Sequence, residues 1–110
     1  AKMVLAERKP FGQLVGANRH QDFAYVGNAL PILSNGGMQR LRDAGCTIIR
    51  VAHYPQDPAF MDACDELGMF VIVATPGWQY WNKDVKFEIG SQNTREMIRR
   101  DRNHPSVLMW

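Results

Sequence analysis

Short apolar runs alternate with amphipathic segments along the 110 residues of this chain. The apolar runs begin near Leu14, Thr47, Met69 and Val107, and the segments between them carry apolar residues at helical spacing. Short runs bounded by turn residues are typical of buried strands, and longer periodic segments are typical of helices. The alternation of four strands with three helices predicts a parallel sheet with right-handed crossovers, and so an α/β fold.

The strand limits follow from where each apolar run meets polar or turn residues. We predict strands over about 14–20, 47–52 and 69–74, with a fourth in the run 103–110. The segment 21–31 is polar and contains glycine, and Ser34-Asn35-Gly36-Gly37 follows it closely. We therefore expect the first connection to be a long loop.

Capping residues indicate where the helices begin and end, and we predict helices over about 38–44, 58–67 and 91–102. Gly45 and Gly68 suit helix C-termini because glycine adopts the left-handed conformation there. Asp57 followed by Pro58 combines an N-cap with a proline in the first turn. The third helix is expected to turn Met97 toward the sheet, together with Ile98.

Polar side chains stand where the apolar runs end. The second run gives way to Arg50 and His53, and the first ends in Arg19 and His20. Alternate side chains of a strand share a face, so this pattern predicts strands that carry polar groups out to a site. In barrel enzymes the loops that follow strands hold the substrate contacts.

The composition is that of an ordinary globular domain, with 45% apolar and 22% charged residues. Its formal charge is only +2, from 13 basic and 11 acidic residues. One basic cluster on the third helix is expected to be a solvated face and not a nucleic-acid site. That cluster comprises Arg95, Arg99, Arg100 and Arg102, balanced by Glu96 and Asp101.

Cysteine usage and hydropathy add two limits. Cys46 and Cys64 stand in apolar settings outside any Cys-x-x-Cys pair and are expected to be small core residues. A count of two cysteines leaves the redox compartment, and with it the localisation, open. No apolar stretch approaches the roughly 20 residues that a bilayer requires, so we expect no membrane partner.

Four sequence segments, in this order and spacing, resemble the catalytic barrel of glycoside hydrolase family 2, the β-galactosidases and β-glucuronidases. The segments are Gly16-Ala17-Asn18-Arg19-His20-Gln21-Asp22, Ile49-Arg50-Val51-Ala52-His53-Tyr54-Pro55, Cys64-Asp65-Glu66-Leu67-Gly68 and Arg102-Asn103-His104-Pro105-Ser106-Val107. The resemblance covers about 11–110 and is closest to the β-galactosidase branch.

The resemblance implies a fold and a domain assignment. Residues 1–110 would form the N-terminal portion of a (β/α)8 TIM-barrel catalytic domain, its first half, with about four parallel strands and three intervening helices. An eightfold barrel needs roughly 250 residues, so the chain is too short for a complete one. The pattern alone fits a doubly wound sheet equally well, and the resemblance favours the barrel. An unrelated doubly wound domain with a small-molecule or phosphate site is a further possibility, which the absence of a Gly-x-Gly-x-x-Gly or phosphate-loop motif disfavours.

The resemblance also implies an activity. Members of the family are retaining β-glycosidases, which cleave terminal β-linked sugars by double displacement with two carboxyl groups about 5 Å apart. The family's two catalytic glutamates follow the fourth and seventh strands, so both are expected beyond Trp110 and the chain alone is expected to be inactive. The expected substrate is a β-galactoside-like carbohydrate. An alternative is a non-catalytic carbohydrate-binding or scaffolding piece of a barrel protein.

By the same resemblance five residues form the expected substrate site. His20 and His53 would donate hydrogen bonds to sugar hydroxyls, and Asp22 and Trp78 would be further substrate contacts. Arg50 would lie beneath the nucleophile and hold it ionised, since a nearby cation favours the charged carboxylate.

Structural roles stay open for these residues and their neighbours. Arg50 and His53 could form structural ion pairs, and the aromatic loop could pack on the barrel rim instead of stacking on sugar. That aromatic loop contains Trp78, Tyr80 and Trp81. In the loop after the first strand, hydrogen bonds that simply hold the loop together could come from Asn18, Arg19 and Asp22.

We expect no metal and no organic cofactor. Some β-galactosidases of the family bind magnesium just after the third strand, where this chain has Thr75-Pro76-Gly77-Trp78 and thus no acidic ligand. His20, His53 and His104 lack the local spacing of a zinc site. His104 is expected to end a helix or lie in the core, and Asp65 to serve structure.

A partial barrel leaves its first and last strands as bare edges, which can pair with other chains. We therefore expect the isolated chain to be marginally stable or to self-associate through these edges.

Overall fold

Strands and helices alternate throughout the computed structural model, which describes residues 12–22, 31–77 and 85–110. The strands are β1 (Gly16–Arg19), β2 (Ile48–Val51), β3 (Phe70–Ile72) and β4 (Val107–Met109). The helices are α1 (Pro31–Asp43), α2 (Pro58–Leu67) and α3 (Val85–Asp101). The predicted order of elements is confirmed.

The four strands form one parallel sheet in the order β1-β2-β3-β4. Asn18 of β1 pairs with Arg50 of β2, which in turn pairs with Ile72 of β3. A doubly wound sheet reverses its strand order at a switch point, whereas this order follows the chain, as in the opening of a barrel. All carboxyl ends therefore meet at one edge of the sheet.

One face of the sheet packs against the helices and carries the core. Ile49 and Val51 of β2, Val71 of β3 and Val73 just after it are buried against this layer. Each of the three helices contributes buried residues to the core, namely Met38, Phe60, Met61, Cys64 and Met97, with Ile98 packed against them. The expected orientation of α3 toward the sheet is confirmed.

The strands are shorter than the apolar runs that predicted them. Backbone hydrogen bonds still extend past the strand ends, from Thr47 N to Val15 O (2.7 Å) and from Ala52 N to Arg19 O (2.9 Å). The predicted fourth strand lay in the run 103–110, but β4 ends at Met109, and Trp110 follows it and is 43% exposed.

Helix α1 begins at Pro31, seven residues earlier than its predicted start near Met38. Proline fits the first turn of a helix because that turn needs no amide donor. The pair Gly36-Gly37 lies inside the helix instead of in a loop, at a cost of up to about 1 kcal/mol per glycine relative to alanine. Packing of α1 on α2 outweighs this local preference.

Helix α3 also begins early, at Val85 and not near 91. Gly90 lies inside the helix and is buried, and its carbonyl accepts a hydrogen bond from Thr94 Oγ1 (2.8 Å). Glu88 in the first turn suits the positive end of the helix dipole. Gly90 is thus a buried position inside the helix and not a residue before its start.

Helix α2 has the predicted ends. Asp57 Oδ1 accepts a hydrogen bond from Ala59 N (2.8 Å), and Pro58 occupies the first turn. Gly68 ends the helix in the left-handed conformation, at φ 67° and ψ 37°. Among the described helices, none combines the length and the apolar content that crossing a bilayer takes.

Asp65 joins the end of α2 to the turn that leads into β4. Its Oδ2 lies 2.6 Å from His104 Nδ1, and its Oδ1 accepts a hydrogen bond from Ser106 N (3.0 Å). The structural role expected of Asp65 is therefore seen directly. His104 belongs to this turn and not to the carboxyl edge of the sheet, where His20 and His53 lie.

Both cysteines are free, and Cys64 is fully buried. Burial raises the pKa of the Cys64 thiol to about 12, because a thiolate loses its hydration there. We expect iodoacetamide at pH 8 to modify Cys46 and to leave Cys64 unmodified until the protein unfolds. Peptide mass spectrometry with and without denaturant checks this, and equal labelling of the two thiols in the native protein would contradict it.

Candidate functional site

The face of the sheet opposite the helices is open and forms a cleft of about 230 Å³. Asn18 and Arg50, paired in register, are its polar side chains, and Arg50 is exposed. The other lining residues are small or apolar, namely Gly16, Ala17, Ile48 and Ile72. Arg50 therefore points to the side of the sheet on which a barrel has its interior.

His20 and His53 come together at the carboxyl edge of the sheet. Their ring centroids are 5.5 Å apart with the ring planes at 75°, an edge-to-face contact. The His20 ring also lies 6.1 Å from that of Tyr54. The peptide bond between Ala52 and His53 is cis. The structure thus places the two histidines side by side, just beyond the strands that carry Asn18 and Arg50.

Two side-chain contacts join the loops that bear these histidines. Gln21 N donates a hydrogen bond to Tyr54 Oη (3.0 Å), and Asp57 N donates one to Gln21 Oε1. Because these bonds link residues more than 30 positions apart, they fix the β1 loop relative to the β2 loop.

The remaining predicted contacts are Asp22 and Trp78. Asp22 is exposed, two residues after His20, and its charge acts on the Arg19 guanidinium. Trp78 lies outside the described residues, as do Tyr80 and Trp81. The structure therefore brings His20 and His53 into contact, puts Arg50 on the adjoining face and leaves Asp22 at the rim.

Arg19 has a place that the sequence left open. It was one of the residues that could bond the first loop together, and it faces the helix layer and is largely buried. Its Nη1 donates a hydrogen bond to Gln56 Oε1 (2.7 Å), and its guanidinium lies 4.8 Å from the centre of the Phe60 ring. Burial lowers the pKa of Arg19, since the charged form loses hydration. The alternation of Ala17 with Arg19 along β1 is the signal that could have placed it.

Asp101 differs from expectation in a similar way. It was expected to balance a solvated basic face, but it is 1% exposed. Its carboxylate accepts hydrogen bonds from Arg100 Nε (2.5 Å) and Nη2 (2.7 Å). This hydrogen bonding raises the pKa of Arg100. Sequence spacing could not reveal the pair, because neighbours in a helix do not ordinarily face each other.

One group of possible metal ligands occurs in the described part of the chain, namely Asp62, Asp65 and His104, with ligand atoms within 4.8 Å of one another. Both Asp65 oxygens already bind His104 and Ser106. The group lies before β4, at the opposite edge of the sheet from His20. It therefore serves the turn described above and is separate from the candidate site.

The model of the family described as "Glycosyl hydrolases family 2, TIM barrel domain" matches residues 2–110. The chain belongs to glycoside hydrolase family 2. Its four parallel strands and three helices are accordingly part of a (β/α)8 barrel, and the doubly wound alternative is excluded.

Family 2 relatives carry the names of two activities. The chain is 44% identical over 105 residues to a β-galactosidase of Thermoanaerobacter pseudethanolicus, with 89% of this chain and 14% of that protein covered. It is 35% identical over 113 residues to human β-glucuronidase, with 96% of this chain and 17% of that protein covered. The chain thus spans less than a fifth of the length of these relatives.

Solved structures named as β-glucuronidases have the same arrangement. A β-glucuronidase of Bifidobacterium dentium complexed with coumarin-3-O-glucuronide superposes with a TM-score of 0.79 at 27% identity, over 86% of this chain and 16% of that one. Bacteroides uniformis β-glucuronidase 3 gives a TM-score of 0.76 at 32% identity, over 88% of this chain and 13% of that one.

Proposed function

We propose that the protein containing this chain is a retaining β-glycosidase, with residues 1–110 forming the N-terminal portion of its catalytic barrel. The observation that carries the proposal is the contact between His20 and His53 at the carboxyl edge, where barrel enzymes bind their substrates. Both catalytic carboxyl groups are supplied by the rest of the barrel. The chain by itself is inactive.

In this proposal the chain supplies part of the sugar subsite. His20 and His53 donate hydrogen bonds to hydroxyls of the non-reducing sugar, and Asp22 accepts one. Trp78 stacks on the sugar ring. Such contacts accelerate hydrolysis to the extent that they strengthen as the ring approaches the oxocarbenium-like transition state.

Arg50 has a separate role as a cation beneath the nucleophile. Its position on the open face directs the guanidinium to the barrel interior. A guanidinium there lowers the pKa of a facing carboxyl group and so keeps the nucleophile ionised. The planar fork of arginine suits a carboxylate better than the ammonium of lysine does.

Within the family we propose a β-galactosidase. Support comes from the higher identity to β-galactosidases, 42% and 44%, than to human β-glucuronidase, 35%.

The test compares matched chromogenic substrates. The full-length protein is expected to hydrolyse a nitrophenyl β-galactoside with retention, faster than the corresponding β-glucuronide, and the isolated chain is expected to hydrolyse neither. Faster turnover of the glucuronide overturns the galactosidase assignment alone. Sugar binding without hydrolysis of any β-glycoside supports the non-catalytic alternative.

Substitution of either histidine tests the subsite. His20→Ala and His53→Ala in the full-length protein are each expected to raise the dissociation constant of a galactose-like inhibitor about tenfold, since each removes a hydrogen bond worth about 1.4 kcal/mol. Titration calorimetry measures the change, and His104→Ala, at the opposite edge of the sheet, is the matched control. Unchanged affinity in both variants would remove the histidines from the sugar site.

The isolated chain is also proposed to self-associate through its strand edges. Leu108 and Met109 of β4 are exposed, as are Leu14 and Val15 before β1. Sedimentation velocity is expected to show oligomers of the isolated chain at high concentration, and a stable monomer there would contradict this.

A further inference from the structure

Gln56 is a buried polar residue that no role in sugar binding accounts for. It is 1% exposed, and each of its two oxygens accepts a hydrogen bond from an arginine. Arg19 Nη1 donates to Gln56 Oε1 (2.7 Å), and Arg100 Nη2 donates to Gln56 O (2.9 Å). Its Nε2 has no hydrogen-bond partner among the described residues, so the Oε1 bond to Arg19 is the hydrogen bond that holds this buried amide side chain.

The bond between Arg19 and Gln56 joins the chain just before His20 to the chain just after His53. Arg19 directly precedes His20, and Gln56 follows His53 by three residues. Ala52 N donates a hydrogen bond to Arg19 O (2.9 Å) where the pairing of β1 with β2 ends. The histidine side chains lie beyond this point, where sheet pairing no longer fixes their separation.

Arg19 itself is held in place from the helix side. Its guanidinium lies 4.8 Å from the centre of the Phe60 ring in α2. A cation over an aromatic face is attracted by the ring quadrupole, and more so when desolvated. The end of β1 is therefore anchored to α2 as well as to the loop that carries His53.

The other side of Gln56 is anchored to α3. Arg100 binds the Gln56 carbonyl and is itself oriented by the buried carboxylate of Asp101 through two hydrogen bonds. The loop from His53 to Gln56 is thus held between a strand and a helix.

We propose that Gln56 is a positioning residue whose bond to Arg19, together with the Gln21 bonds to Tyr54 and Asp57, sets the separation of His20 and His53. This inference rests on the proposed function in one respect: the spacing lets both histidine rings reach one sugar. Without the Oε1 acceptor, Arg19 Nη1 loses this hydrogen bond and the end of β1 moves relative to the loop that carries His53. Misplacement of binding groups by about 1 Å can cost up to about 100-fold in rate.

Two substitutions of similar volume distinguish the effect of losing the hydrogen-bond acceptor from the effect of changing the packing. Gln56→Met fills the site and keeps the backbone carbonyl that binds Arg100, but it removes Oε1. Gln56→Glu keeps an oxygen acceptor for Arg19. In crystal structures of the full-length protein we expect Gln56→Met to increase the ring separation by about 1 Å or more and Gln56→Glu to preserve it.

Binding and kinetics give the second readout. Gln56→Met is expected to raise the dissociation constant of a galactose-like inhibitor and lower kcat/KM about tenfold, and Gln56→Glu to change either by less than about twofold. The proposal is overturned if Gln56→Met keeps the ring contact, or if Gln56→Glu separates the rings as far as Gln56→Met does. If Gln56→Met does not fold, Arg19→Met removes the donor instead, and an unchanged ring contact there overturns the proposal equally.

The two proposals can fail independently. If Gln56→Met separates the rings while His20→Ala and His53→Ala leave sugar affinity unchanged, the positioning role stands and the sugar subsite is wrong. If the histidine variants lose affinity while Gln56→Met keeps both the ring contact and affinity, the positioning role is wrong and the subsite stands.

Discussion

Replacing Arg50 with alanine in the full-length protein is expected to lower kcat by about 100- to 1,000-fold, as does loss of a preorganised electrostatic partner in other enzymes. The acid limb of the pH profile of kcat/KM is expected to move up by about 1 to 3 pH units. The reason is that a neighbouring cation lowers a carboxyl pKa by this amount. Without Arg50 the nucleophile stays protonated up to a higher pH, so activity is lost first at the acidic end.

The structure supports this expectation through the surroundings of Arg50. The side chain is exposed on the open face of the sheet, between Asn18 and Ile72 of the neighbouring strands. Within residues 12–22, 31–77 and 85–110 it makes no ion pair. A structural ion pair among these residues is thus ruled out, and its counter-charge is expected from the other part of the barrel.

The measurement is the pH dependence of nitrophenyl galactoside hydrolysis. Arg50→Lys keeps the charge and is expected to restore the position of the acid limb while recovering only part of kcat, because lysine lacks the fork. Arg42→Ala, an exposed arginine in the last turn of α1, is the surface control. A large loss of kcat with an unmoved acid limb would mean that Arg50 orients the site and does not control ionisation.

Gly16→Ala is expected to destabilise the barrel by about 2 to 3 kcal/mol. A Cβ at this position would lie 2.6 Å from Ile48 Cγ2 and 2.7 Å from Ile48 O. The second atom belongs to the backbone of β2, so the clash cannot be relieved by a side-chain rotation. β1 and β2 would have to separate at the start of their pairing.

Gly36→Ala is the matched control for this substitution. A Cβ at Gly36 meets no atom within 4 Å, and the residue lies inside α1, where alanine is favoured over glycine by about 0.5 to 1 kcal/mol. Urea denaturation of the full-length variants is expected to move the two midpoints in opposite directions. Equal midpoints would show that the β1–β2 approach can relax.

Much of the fold could be predicted because local signals agreed with tertiary structure. The apolar runs became parallel strands, and Asp57, Pro58 and Gly68 delimited α2 as their capping preferences require. Strand order could not be read from the pattern, since barrels and doubly wound sheets share the same alternation. The resemblance to family 2 favoured the barrel, and the family comparison confirmed it.

The failures came where tertiary packing overrode a local preference. Gly36-Gly37 resembled a boundary but lies inside α1, and α3 begins before its predicted start near 91. Arg19 resembled a loop residue because charged side chains are rarely buried without partners, and its partner Gln56 is 37 residues away. Proximity of His20 to His53 could be anticipated from parallel strand ends, whereas the bond that spaces them could not.

Both oxygens of Asp65 bind residues of the turn before β4, which links this contact to the order in which the chain is synthesised. The carboxylate belongs to a segment that leaves the ribosome 39 residues ahead of His104. At about 5 to 20 residues per second this lead is about 2 to 8 seconds. The carboxylate that binds the turn before β4 is therefore synthesised before β4 emerges, so this contact can form without waiting for later parts of the polypeptide.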